Sequence, residues 1–264
     1  MGRSIKDEVR NLSVQLLAPL ANSKQDIPRV RVLCFHDVVD ESWFRSVITV
    51  ITERYHVLTP EQFQQGEFDE QKVNVLVTFD DGFASWSEVA APVLAEHQVL
   101  AVFFVSSGLL EAESAGVSEE FMREQLRIRP RKPLSWTAAK ALAKQGHTIG
   151  AHTVTHQSLA TLSAAEQKEE MLLDREKIAT KQLPAPVMLA YPFGTRRDIG
   201  ADTFRWGEEA GFMFQFSAES DWADIFQSSP IPRTLIDESV SLASLPAWIE
   251  GGYDIFRRLT IWNR

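Results

Sequence analysis

Two neighbouring carboxylates, Asp80 and Asp81, follow the apolar run Val73-Asn74-Val75-Leu76-Val77-Thr78-Phe79 and precede Gly82. Adjacent carboxylates at the end of a buried strand stay ionised together only if a cation or a proton lies between them. A metal ion held by Asp81 meets that need and leaves Asp80, on the other side of the backbone, free to take a proton from water. An Asp-Asp-Gly turn that closes the strand, with Gly82 supplying a positive φ, is the plainer alternative. His152 and His156 follow a second run, Thr148-Ile149-Gly150-Ala151. Their four-residue separation places both imidazoles on one face of a helical turn, a spacing that suits one metal ion. Two imidazoles and one carboxylate leave a coordination position open, the pattern of a catalytic rather than a structural site. Taken alone, the histidine pair could equally cap a nearby helix.

Two further groups sit after apolar runs. Tyr191-Pro192-Phe193-Gly194 follows 187–190, and its Pro and Gly force a tight turn whose backbone N–H groups can hold an oxyanion, although a purely structural turn has the same signature. His36 and Asp37 follow the run 30–35, which contains the single cysteine, Cys34. With no second cysteine there is no intramolecular disulfide, and a buried strand residue is the expected role of Cys34.

These groups need a scaffold that brings strand ends together. Short apolar runs at 30–35, 73–79, 100–105, 148–151, 187–190, 212–216 and 231–235 alternate with helical patterns at 42–54, 85–97, 119–127, 136–145, 164–181, 201–210 and 242–250. That alternation predicts an α/β fold on parallel strands covered on both faces. Seven units suggest a barrel, whose functional residues gather at the carboxyl ends of the strands. An open doubly wound sheet is the alternative, but no Gly-rich turn follows the first run. The polar stretch 106–131 reads as an insertion. A length of 264 residues fits a single domain, with a core over about 30–235 and helical extensions at both ends. A net charge of −9 argues against nucleic acid as a partner.

In order and separation, Thr78-Phe79-Asp80-Asp81-Gly82, the segment Gly146 to His156 and Tyr191-Pro192-Phe193-Gly194 resemble the polysaccharide deacetylase (NodB homology) domain of carbohydrate esterase family four. The resemblance implies a distorted (β/α)7 barrel and a divalent metal, usually zinc, with cobalt, nickel or manganese as alternatives. It also implies removal of acetyl groups from N-acetylated amino sugars. Carried over, Asp80 becomes the catalytic base, and Asp81, His152 and His156 become the metal ligands. The backbone N–H of Phe193, in the turn with Tyr191 and Pro192, becomes the oxyanion donor.

The chain departs from the family pattern at two places. Ala190 stands where many members have an arginine near the catalytic Asp, and no histidine follows His156 to serve as general acid. The segment Leu33-Cys34-Phe35-His36-Asp37-Val38-Val39 is similar to the first motif of a circularly permuted branch that deacetylates poly-N-acetylglucosamine. That likeness implies that the last strand of the usual order comes first, and that His36 closes the barrel beside Asp80 as general acid. By the same logic Arg233 replaces the missing arginine. Trp222, in the acidic loop Glu219 to Asp224, is a candidate sugar-stacking residue, and the loop's charge could favour a cationic product.

The expected partner is therefore an N-acetylated sugar in a polysaccharide, oligosaccharide or lipid-linked glycan. An amidohydrolase or deformylase of the same barrel and a non-catalytic carbohydrate-binding relative are the other readings. No secretory signal is legible at the N-terminus, so the expected location is the cytoplasm or the cytoplasmic membrane surface, or the periplasm if a leader has been removed. The stretch 242–264 carries Arg257, Arg258 and Arg264 among apolar residues, which suits either peripheral membrane contact or packing on the barrel.

Overall fold

The computed structural model describes residues 4–21, 29–226 and 229–261. Its elements in chain order are α1 (Ile5–Ala21), β1 (Arg29–Phe35), α2 (Glu41–Arg54), β2 (His56–Val57), α3 (Pro60–Gln65), β3 (Val73–Asp81), α4 (Ala91–Glu96), β4 (Val102–Val105), α5 (Ser107–Ala115) and α6 (Ser118–Phe121). They continue with α7 (Trp136–Lys144), β5 (Thr148–Ala151), α8 (Ala164–Thr180), β6 (Met188–Ala190), α9 (Thr203–Glu209), β7 (Phe214–Phe216), β8 (Thr234–Leu235), α10 (Leu245–Ile249) and α11 (Gly252–Ile261).

The strands form one parallel sheet in the order β7-β6-β5-β4-β3-β1-β8, with the short β2 beside β3. The segment before β8 also reaches the opposite edge, because Ile231 N–H donates to Gln215 O (2.7 Å) and Ser217 N–H to Ile231 O (2.9 Å). A few residues on, Thr234 and Leu235 pair with Leu33 and Cys34 of β1. Residues 231–235 thus bridge the two edges and curl the sheet into a distorted barrel, which bears out the expected fold. The first strand of the chain lies beside the last, the arrangement a permuted order requires.

Side-chain alternation sorts each strand between two cores. Val30, Val32, Leu76, Val102, Phe104, Met188, Phe214 and Phe216 fill the barrel interior, while Leu33, Phe35, Val75, Val77, Phe79, Phe103 and Leu189 face the surrounding helices. Gly150 belongs to the interior set, where a Cβ would lie 2.4 Å from Phe104, so only glycine fits that layer. The same even-numbered parity carries Cys34, Asp80 and His152 to the top of the interior.

Several boundaries differ from the sequence expectation. The pattern 85–97 is not one helix: Trp86–Ala90 forms a wide π-type turn and α4 begins only at Ala91. Pro92 has no N–H to give the preceding turn, which explains the break. The stretch 106–131 is not a polar insertion, since α5, α6 and the turn Met122–Leu126 bury Leu109, Leu110, Met122 and Leu126. Of the run 231–235 only Thr234–Leu235 is strand.

The C-terminal α11 packs along α1, where a Cβ on Gly252 would meet the Val14 carbonyl at 2.4 Å. Arg257 and Arg258 pair with Glu219 and Asp221, while Arg264 lies outside the described residues. Among the described residues no helix is long and apolar enough to cross a membrane.

Candidate active site

A cleft of about 420 Å³ opens at the carboxyl ends of the strands, and Asp80, Asp81, His152, His156, Cys34 and His36 all line it. Asp80 and Asp81 share this cleft instead of lying on opposite sides of the backbone as the strand reading expected. The reason is local: Asp81 has φ 87°, so it leaves the extended conformation and turns its side chain back over the barrel mouth. Gly82, at φ 126°, continues that turn.

The Asp81 carboxylate lies 3.4 Å from His152 Nε2 and 3.2 Å from His156 Nε2, and all three residues are buried. The two histidines do not share a face of a helical turn, contrary to what their spacing suggested. They sit in an irregular loop after β5 in which Thr153 (φ 63°) and His156 (φ 56°) take the left-handed conformation and bring the rings together edge-on at 4.9 Å. His152 Nδ1 stands 2.7 Å from the Ala190 carbonyl, which can only accept, so the proton belongs on Nδ1 and the Nε2 lone pair faces Asp81. A lone pair and a carboxylate oxygen at this separation need a positive charge between them. The residues present therefore fit a divalent ion: two nitrogens and one oxygen converge, with room in the cleft for further ligands. Burial works against charge on Asp81, yet the His152 and His156 rings that face it hold the carboxyl well below its usual range. On His152 burial favours the neutral ring, but the Asp80 and Asp81 carboxylates win and raise its pKa.

Asp80 is held differently. Arg233 Nη1 and Nη2 each donate to one of its oxygens at 2.6 Å, a bidentate fork that also reaches Thr78 Oγ1 (3.3 Å) and, through Nε, the Ser217 carbonyl (2.9 Å). Burial raises the Asp80 pKa, and the Arg233 and His152 charges more than reverse it, leaving a lowered value. Arg233 thus occupies the place expected for the missing arginine. The half-buried His36 brings a ring nitrogen within 4.8 Å of an Asp80 oxygen, its backbone carbonyl anchored by Trp86 Nε1–H at 2.9 Å.

In the turn after β6, Phe193 has φ 58° and Gly194 N–H donates to the Pro192 carbonyl at 2.6 Å, which confirms a tight turn. Among the described residues the Phe193 N–H has no acceptor, so it is free to bind a ligand oxygen. The Phe193 ring packs edge-on to His156 at 4.9 Å. Tyr191 lines the cleft, but its hydroxyl donates to Gln215 Oε1, a structural engagement.

Trp222 is not brought to the cleft. Its ring lies under the Arg31 guanidinium, 4.1 Å from the centroid, and packs on the outer core. Two acids of its loop are paired as well, Glu219 with Arg257 and Asp221 with Arg258.

Four residues of the site escaped the sequence reading. Cys34 is buried as expected, but its thiol also touches Asp80 Oδ2 at 3.4 Å on the cleft floor. Asp174, on α8, accepts the backbone N–H of His152 and of Ser107, each at 2.9 Å, and burial pushes its pKa up to about 6. A signal for it existed: Met171, Asp174 and Ile178 form the buried stripe of α8, and a carboxylate on such a stripe needs buried donors. Tyr253 and Arg257 of α11 complete one wall, and no local pattern marked them.

Comparison with known proteins agrees with this geometry. Residues 68–213, more than half of the chain, match the polysaccharide deacetylase family model. The chain belongs to the polysaccharide deacetylase family. Curated relatives include YxkH of Bacillus subtilis, 24% identical over 200 residues (74% of this chain, 64% of that protein). A peptidoglycan-N-acetylglucosamine deacetylase of Bacillus cereus is 28% identical over 157 residues (58% of this chain, 48% of that protein). The chain thus spans about half to two thirds of the length of these relatives. Among solved structures it resembles the Streptococcus pyogenes deacetylase PplD, with a TM-score of 0.69 and 21% identity over 84% of this chain and 98% of that one. It also resembles IcaB of Ammonifex degensii, with a TM-score of 0.64 and 20% identity over 85% of this chain and 98% of that one. These structural likenesses concern the fold.

Proposed function

We propose that the chain is a metal-dependent hydrolase that removes the N-acetyl group from an N-acetylated amino sugar in a glycan or glycolipid. The observation that carries this reading is the convergence of Asp81, His152 and His156 beside a second carboxylate, Asp80, clamped by Arg233 in the same cleft. Asp81, His152 and His156 would hold the ion, for which zinc suits the donor set, and when bound it would supply Lewis-acid activation of water and of the acetyl carbonyl.

The remaining chemistry belongs to the chain's own groups. Asp80 accepts a proton from the attacking water, and its pair with Arg233 keeps it ionised and fixes which oxygen lone pairs face the cleft. The Phe193 N–H donates to the acetyl oxygen as charge builds on it. His36, partly open to solvent, gives a proton to the departing amine, a role suited to an imidazole. One proton is taken and one given, so acetate and a free amino sugar result. A cleft of about 420 Å³ accommodates a sugar unit with its acetyl group.

Metal analysis of the purified chain, followed by acetate release from N-acetylated chitooligosaccharides, tests the proposal. Bound metal, acetate release and loss of both on chelation are expected. Metal without acetate release from any N-acetylated glycan would favour an amidohydrolase of the same barrel, and neither metal nor activity would favour a binding relative.

A further inference from the structure

The rim of the cleft carries a charge pattern opposite to that of the chain. Net charge is −9, and exposed arginines elsewhere, such as Arg45, Arg123, Arg205 and Arg258, sit against carboxylates. At the rim, Arg127 and Arg129 flank the cleft-lining Leu126 and Ile128, and Arg196 and Arg197 follow the cleft-lining Thr195. All four are exposed, and among the described residues none of their guanidinium groups forms an ion pair with a carboxylate, although the Arg196 backbone N–H donates to Glu219 Oε1 at 3.1 Å. Of the nearby acids, Glu219 pairs with Arg257, Asp198 accepts from the Thr195 and Ser158 hydroxyls, which carry no charge to offset its own, and Glu124 has no ion-pair partner among the described residues, so the four arginines outnumber the unpaired acids around them.

The position of Arg127 is the most telling. Its guanidinium lies 5.7 Å from the Phe193 ring centroid, and that ring lies 4.9 Å from the His156 ring. Arg127 therefore stands one aromatic ring beyond a metal-ligating histidine. Its own backbone takes the left-handed conformation (φ 58°), where the turn Met122–Leu126 ends. Arginines that outnumber the acids around them leave a positive field at the rim, which a ligand bringing negative oxygens complements. Guanidinium groups match phosphoryl and carboxylate oxygens through paired N–H donors, which neutral sugar hydroxyls cannot exploit as fully.

We infer that the cleft selects an N-acetylated sugar bearing an anionic group, a phosphoryl or a carboxylate, next to the unit that is deacetylated, and that Arg127 and Arg196 recognise that group. This inference rests on the deacetylase reading above. Neutral poly-N-acetylglucosamine would be a poorer substrate than its anionic counterparts.

The test compares acetate release from three matched N-acetylglucosamine oligosaccharides: a neutral one, one carrying a single phosphate and one carrying a uronic acid. A preference in kcat/KM of about tenfold or more for the charged members is expected at low ionic strength, expressed in KM and shrinking as salt rises. The phosphate and uronate arms tell which anion is read. The double variant Arg127→Gln, Arg196→Gln should bring the ratio of charged to neutral kcat/KM towards one. Equal rates on all three glycans, or a preference that survives in the double variant, overturn the inference and leave deacetylation standing. Acetate release from none of them by the metal-loaded enzyme overturns the deacetylase reading. Selectivity is then read independently by calorimetry, comparing N-acetylglucosamine 1-phosphate with N-acetylglucosamine on the Asp80→Asn chain. Arginine-dependent binding of the phosphorylated sugar alone supports the inference there, and equal binding of the two sugars sinks it.

Discussion

The two halves of the candidate site are assembled in different ways. The proposed metal-binding half comes from near neighbours: β4 lies between β3 and β5, and its end ties both together through Ser106 N–H to Asp81 O and His152 N–H to Val105 O, each at 3.0 Å. The proposed acid-base half joins the two ends of the barrel sequence, His36 after β1 and Arg233 just before β8, around Asp80. The first half depends on loop conformation at Asp81, Thr153 and His156, while the second depends on closure of the barrel by residues 231–235. Damage to one should therefore appear as lost metal, and damage to the other as lost turnover or lost stability with the ion retained.

The largest separation of the two halves is expected from a pair of substitutions. His152→Ala should abolish both bound metal and acetate release. His36→Ala should lower kcat about 10²–10⁴-fold while metal content, read by atomic emission, stays at the wild-type level. Metal loss in the His36 variant would make that residue a ligand and erase the distinction.

Arg233→Met probes closure. It strands the Asp80 carboxylate in a buried site, and breaking such a pair from one side costs about 3–5 kcal/mol. Thermal unfolding should show the loss, and the double variant Asp80→Asn, Arg233→Met should recover part of it. Additive penalties would mean that the two side chains are not energetically paired.

Asp174→Asn is a finer probe of the metal half. The carboxylate fixes the backbone at His152 without touching the ion site itself, and loss of such support weakens metal binding about 10–100-fold. Titration with a competing chelator would reveal this, with the circular dichroism spectrum unchanged. An unaltered affinity would confine Asp174 to holding α5 and α8 together.

His147 gives the smallest expected effect and lies at the opposite end of β5 from His152. Its Nδ1 accepts the Ala101 N–H at 3.1 Å, and burial lowers its pKa from 6.5 to about 4. As pH falls below 6.5 the unfolded chain takes up a proton that the folded chain refuses. Stability should therefore decline from there and level off near pH 4, by on the order of 3 kcal/mol, with no effect on the cleft itself. His147→Gln should flatten that part of the stability profile and leave metal content alone. An unchanged slope would assign the acid sensitivity to other groups.

Much of this molecule was legible before any coordinates. Apolar runs without strict alternation marked strands covered on both faces, and Asp80-Asp81-Gly82 with His152 and His156 marked the carboxyl ends of two of them. His36 and Arg233 are indicated by the family resemblance instead, and the structure places both beside Asp80. Strand ends are legible because they are local properties that residue order determines directly.

Tertiary structure decided what depends on distant segments or on single backbone angles. Left-handed residues, not a helical turn, bring the two imidazoles together, and a positive φ at Asp81 returns its carboxylate to the cleft. Trp222 packs against Arg31, whose guanidinium lies over its ring and is held there by the buried pair with Asp254, a contact between β1 and α11 that no short pattern announces. Cys34 on the cleft floor, Asp174 behind His152 and the unpaired arginines of the rim likewise become visible only in three dimensions. Periodicity records which face a residue presents, whereas the identity of what it meets is set by packing between segments far apart in the chain.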